Sequence, residues 1–272
     1  MRLQVSPYLI LLLLSAVALL GLARIAWRRR SGSGETPFVL LMFAGFFWLF
    51  TYAMEFLSID LPTKLLWVRF EYLSIVTVPV LWLIFVLAYL RRREWLTTGR
   101  VALLFVVPAI TLIMVWTNDL HHLHWATVSL RPSGPLLLFK PTYGPWFWVH
   151  AVYSYGLSLA AAAALLREYL GASGLYRGQL GFLLLGWVMI LLANALTISP
   201  YNPLPGLDLV PFVFGPAALL FGWSVFRYRL FDLVPAAYDQ VIRSMDDGVV
   251  VLDVQGRIVD FNPAAQAVLA GA

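Results

Sequence analysis

Glu55, Arg69, Glu71 and Asn194 lie inside stretches that are otherwise almost wholly apolar. A charge held mid-helix in lipid costs roughly 2.5 to 3.5 kcal/mol on insertion scales, so such groups face a neighbouring helix or a wet cavity. Spacing sorts them. Arg69 and Glu71 are two residues apart, so on a helix they point in nearly opposite directions. Arg69 is therefore predicted to pair with Glu55 on the preceding segment. Glu71, with Tyr72 beside it, is predicted to face Asn194 or Tyr153. Two readings stay open: the set neutralises itself and fixes helix order, or it lines a small-molecule site, where a few polar groups converge among aromatic rings.

A second cluster is "TNDLHHLHW" (117 to 125), with Asn118, Asp119, His121, His122 and His124. His121 and His124, three apart, can share a helix face, and Asp119 or His150 would have to complete a metal site. An imidazole also titrates near pH 6.5, which suits a pH sensor. The plain alternative is a loop capping a membrane bundle, its His and Trp acting as headgroup anchors. Asn118, His121 and His124 join the candidate ligand contacts; no metal and no cofactor is assigned.

Catalysis is not expected. The chain has no cysteine, no HExxH, no GxSxG and no phosphate-binding glycine loop. Its two lysines, Lys64 and Lys140, fall outside the apolar stretches, where neither can hold a retinal Schiff base.

The elements that must position these residues are membrane helices. The chain is 61% hydrophobic and only 12% charged, against roughly a quarter charged in soluble domains. About 20 apolar residues cross a bilayer core, and seven segments qualify: Pro7 to Trp27, Pro37 to Leu57, Leu65 to Leu90, Val101 to Thr117, Trp146 to Leu166, Gln179 to Ser199 and Leu209 to Phe226. The first reads as a retained span, because its basic cluster follows the apolar run and no small-residue cleavage site is present.

Basic residues set the orientation, since Lys and Arg are enriched in cytoplasmic loops. With the N-terminus outside, fourteen arginines fall inside, and only Arg2, Lys64, Arg131 and Lys140 remain outside. That places the C-terminus in the cytoplasm and makes the net charge of +5 a signature of contact with anionic lipid, not nucleic acid. On this topology the charged and amide residues converge on the outer third of the bundle. The fifth span carries Gly156, Ala160 and Ala164 at four-residue spacing, a stripe that admits a close helix. Pro211 and Pro216 predict a kink in the seventh. The longest connection, Asn118 to Pro145, carries turn signals around Pro132 to Pro135 and at Lys140-Pro141.

After Phe226 the pattern changes. Tyr238, Val241, Ile242 and Met245 form a helical stripe suited to pairing with its copy in a homodimer. Gly248 to Asp253 and Arg257 to Phe261 read as a hairpin around Asp253 to Gly256, and Asn262 caps a helix that opens at Pro263.

The segment "DGVVVLDVQGRIVDFNPAAQAVLA" resembles the first strands and helix of a PAS domain. The membrane part resembles the seven-helix N-terminal region of bacterial sensor histidine kinases. It does so through "LPTKLLWVRFEYL" (61 to 73), "TNDLHHLHW" (117 to 125), "NPLPGLDLVPF" (202 to 212) and "RYRLFDLVPAA" (227 to 237). The resemblance implies an all-α integral membrane protein, a seven-transmembrane bundle with a short truncated α/β, PAS-like C-terminal piece. The boundaries are 1–228 for the sensor domain, 229–245 for a juxtamembrane link and signalling helix, and 246–272 for the PAS start. A PAS fold takes about 100 residues and only 27 are present here, too few to close a core.

The implied function is an input domain of the inner (cytoplasmic) membrane. It would detect an unknown small ligand in its outer third and relay the change through the seventh span to a cytoplasmic kinase module and response regulator. The competing class is a small-molecule transporter or permease, for which mid-membrane charge and an internal repeat are expected; neither is apparent.

Overall fold

The computed structural model describes residues 4, 6–28, 35–134, 136–204, 206–227, 245–252 and 258–270. The chain divides into two compact units, Met1–Phe231 and Asp232–Ala272.

The first unit is a membrane bundle. Among the described residues six helices are long and apolar enough to cross a bilayer, and Val210–Ser224 is a shorter apolar helix. α1 (Tyr8–Arg28) and α2 (Glu35–Leu57) pack as neighbours, and α3 (Leu61–Tyr89) is the most enclosed of the spans. α3 starts sharply: Pro62 opens its first turn and the Asp60 carboxylate accepts from the Thr63 N–H at 2.9 Å. The core is aromatic. Trp82 of α3 stacks on Trp187 at 4.3 Å between ring centres, with Phe221 and Phe85 against the same indole.

The fourth crossing is broken into α4 (Thr98–Leu104) and α5 (Val106–Trp116). Pro108 is the cause, since it has no N–H to give to the Leu104 carbonyl one turn back. That carbonyl instead accepts from the Tyr153 hydroxyl at 2.6 Å. A side chain of another helix thus replaces the missing backbone bond, as membrane helices require.

A one-turn helix, α6 (Asn118–His121), follows. The long connection after it is not irregular: it forms a hairpin of β1 (Trp125–Ser133) and β2 (Leu136–Tyr143), from Trp125↔Tyr143 to Ser133↔Leu136, turning at Gly134 with φ +57°. This corrects the all-α expectation for the membrane unit. The turn residues around Pro132 to Pro135 carried the signal. Gln4 ties the chain start to this end of the bundle, donating to the Phe56 carbonyl at 2.6 Å and accepting from the Leu137 N–H at 2.9 Å.

α7 (Pro145–Gly171) and α8 (Gly174–Ile198) follow, then α9 (Val210–Arg227). The predicted small-residue stripe on α7 packs at only one of its three positions: Gly156 and Ala160 are exposed, with nothing near Gly156, while Ala164 lies against the core. Close approach occurs elsewhere, because a Cβ at Gly186 would stand 2.7 Å from the Phe221 ring and one at Gly215 would stand 2.5 Å from Ser15 Oγ. Pro211 lies in the first turn of α9, where a missing N–H costs nothing, whereas Pro216 is inside the helix.

In the second unit β3 (Val250–Leu252) pairs antiparallel with β4 (Ile258–Phe261), followed by α10 (Pro263–Ala270). Asn262 accepts from the Ala265 N–H at 2.9 Å as the helix cap, and from the Val249 N–H at 2.8 Å. The turn Asp253 to Gly256 and the stripe residues Tyr238, Val241 and Ile242 lie outside the described residues, while Met245 is exposed.

Candidate functional site

The hairpin end of the bundle holds a cavity of about 140 Å³ between α2, α3, α7, α8 and the start of α9. Its aromatic wall is Trp48, Tyr72, Tyr143, Phe147 and Trp187. Its polar groups include His150, Ser154, Tyr155, Ser158, Asn194, Thr197 and Asp208. Ile75 and Pro79 of α3 also line it.

Helical spacing explains the convergence. His150, Ser154 and Ser158 recur every four residues on one side of α7, as do Ile190, Asn194 and Ile198 on α8. The two helices are bridged at the cavity by the Tyr155 hydroxyl, 2.7 Å from Asn194 Oδ1. Pro79 removes the N–H that would serve the Ile75 carbonyl, so this wall carries a carbonyl without its regular helical donor.

Asp208 sits just before α9. Its Oδ1 accepts from the Val210 N–H at 3.0 Å and lies 3.2 Å from the Thr197 hydroxyl. Burial pushes its carboxyl up to about 6, against the lowering effect of those two donors. His150 is buried, with Nε2 3.3 Å from Ser154 Oγ and Nδ1 unpartnered.

The sequence-predicted residues divide. Tyr72 and Asn194 line the cavity. Glu71 stands one side chain behind it, accepting from the indole N–H of cavity-lining Trp48 at 2.6 Å rather than facing Asn194 or Tyr153. Glu55 does not pair with Arg69: its partner is Lys64, at 2.7 Å, and Arg69 instead meets Asp119 at 2.6 Å. The turn between α2 and α3 is short enough for Lys64 to fold back on Glu55, which leaves Arg69, more than a turn further along, for the loop after α5. Tyr153 serves the Leu104 carbonyl and is not at the cavity; its place is taken by Tyr155, which lies on the opposite side of α7 from it.

The loop residues are structural in this arrangement. Asn118 is spent on the backbone, accepting from the His124 and Trp125 N–H groups and donating to the Trp125 carbonyl. His121 bonds Thr117 and the Leu123 N–H. His124 is fully buried against the rings of Tyr72, Trp125 and Phe147, both nitrogens unpartnered. Burial, and after it the neighbouring His150 and His121, holds its imidazole down at about 3. It is therefore neutral across the physiological range. Among the described residues no three His, Cys, Asp or Glu side chains gather as a metal site.

Asp208, His150, Tyr143, Tyr155 and Trp187 were not among the predicted contacts. Asp208 was visible within "NPLPGLDLVPF", but a lone carboxylate in a Pro/Gly-rich link reads as solvated.

The profile of the family described as the N-terminal 7TM region of histidine kinase matches residues 11–235, and that of a PAS domain matches residues 236–270. No curated protein matches the chain.

Proposed function

Since the chain belongs to the family of N-terminal seven-transmembrane regions of histidine kinases, we propose that its cavity is the sensory site of a kinase that reads a small ligand. The family gives a multi-pass membrane protein with a role in sensory signal transduction, continued by a PAS domain. The finer reading is that the N-terminus and the hairpin face outward across the inner membrane, as the arginine distribution favours. A homodimer formed through residues 229–245 would deliver the change to a cytoplasmic kinase and response regulator, so that this chain itself performs no catalysis.

One observation carries the reading: Asp208 and Val210, at the base of α9, line the same cavity as α3, α7 and α8. A ligand there touches the beginning of the helix that leads toward the PAS domain. It need only favour one of two packings of α9 to shift their populations.

The test is Ser158→Phe in the full-length kinase, with Leu159→Phe, on the exposed face of α7, as control. Ser158 is buried at the cavity wall. Filling the cavity is expected to fix kinase output at one level under every stimulus, with the control responding normally. Equal responsiveness of the two variants overturns the reading.

A further inference from the structure

We propose that the cavity takes a small organic cation, an amine or quaternary ammonium about the size of benzene, with the Asp208 carboxylate as its counter-charge. This rests on the reading of the cavity as a ligand site and names the chemistry of what fills it.

Charge argues first. The lining includes Asp208 and neither lysine nor arginine. Glu71 adds a second carboxylate one side chain away, through Trp48. Among the described residues neither acid has a cationic partner, whereas Glu55, as enclosed as Glu71, has Lys64. A carboxylate held away from water without a partner is costly, and Asp208 on the wall makes the cavity a place where a cation lowers the energy and an anion raises it.

The walls supply the rest. The rings of Trp48, Tyr72, Tyr143 and Trp187 border the space, and aromatic faces attract ammonium groups, more strongly once water is excluded. Acceptors are also present for N–H groups. The Ile75 carbonyl lacks its helical donor because position 79 is proline. His150 Nδ1 is buried and unpartnered, and it accepts when the ring proton sits on Nε2, beside Ser154 Oγ. Size sets the limit: about 140 Å³ is close to the roughly 150 Å³ cavity that accommodates benzene, so the ligand has few heavy atoms beyond a trimethylammonium head.

The experiment uses the purified chain in detergent and three probes of one shape and different charge: tetramethylammonium, neopentyl alcohol and pivalate, at matched ionic strength. Fluorescence of the cavity tryptophans and melting temperature are read together. Tetramethylammonium alone is expected to give a saturable change. Asp208→Asn is expected to weaken it about tenfold to a hundredfold, the range for losing a charge-assisted contact, and Asp208→Glu to restore part of it. If Asp208→Asn does not fold, Tyr143→Leu, at the hairpin edge, should weaken it several-fold. Neutral or anionic binding that Ser158→Phe abolishes overturns the cation and leaves the sensory site standing. No cavity-dependent signal from any probe overturns the cation as well, and the sensory site falls with it only if Ser158→Phe also leaves kinase output responsive.

Discussion

Lys64 folds back across the turn between α2 and α3 and sets its ammonium 2.7 Å from Glu55 Oε1 and 2.8 Å from the Glu55 carbonyl, with no exposure of its own. Breaking such a pair from one side leaves an uncompensated buried charge, at a cost of about 3 to 5 kcal/mol. Lys64→Met is therefore expected to lower stability by about that amount in a detergent unfolding titration, and the double change Lys64→Met with Glu55→Leu to recover most of it. A single variant no worse than the double would refute this.

The pair of Arg69 with Asp119 is predicted to behave differently. Arg69 meets Asp119 at 2.6 Å, but the Asp119 side chain is 68% exposed, so Asp119→Asn should cost under about 1 kcal/mol. The difference should vanish at high salt, which a titration repeated in 1 M salt checks.

Asp208 gives a pH signature. Its folded carboxyl titrates at about 6, above the ordinary range near 3.9. The stability it contributes is complete below that range and is lost as pH rises through about 6. Asp208→Asn should thus raise the melting temperature of the ligand-free protein at pH 7.5 and change it little at pH 4. If the increment is independent of pH, the carboxylate is not under the strain inferred.

His124 works in the opposite sense. An imidazole held at about 3 stabilises the fold above about pH 6.5 and loses that contribution as pH falls toward 3. Between pH 6.5 and 4, wild type should lose more melting temperature than His124→Phe, which keeps the ring contacts and removes the titrating group. Parallel curves would rule this out.

Two glycines test where helices meet. Gly186→Ala drives a methyl into the Phe221 ring, an overpacking worth about 1 to 3 kcal/mol of lost stability. Gly156→Ala enters open space and should be neutral or stabilising by up to about 1 kcal/mol. Thermal unfolding of both variants decides it, and a larger loss at Gly156 would show that α7 meets a partner there.

Much of the bundle was legible because hydrophobic length is a one-dimensional signal: six crossings appear as long apolar helices and the seventh as a shorter one. The side-chain pairings were not. Depth in the membrane suggested that Glu55 meets Arg69 and that Glu71 faces Asn194 or Tyr153, but depth does not fix the rotation of a helix, and it said nothing of a lysine reaching back across a turn. Tyr153 and Tyr155 show the limit most plainly, since two residues along α7 separate the hydroxyl that repairs α4 from the one at the cavity. Asp208 escaped because only the folded chain brings the link before α9 against α8.

The glycine contacts at Gly186 and Gly215 seat α9 closely against α8 and α1. A rod held on two flanks has little room to swing sideways, so what remains is to slide or turn in its groove. For 18 residues that is a shaft roughly 27 Å long, and under the proposed relay a small displacement at Asp208 would arrive at the far end undiminished, as thrust or torque.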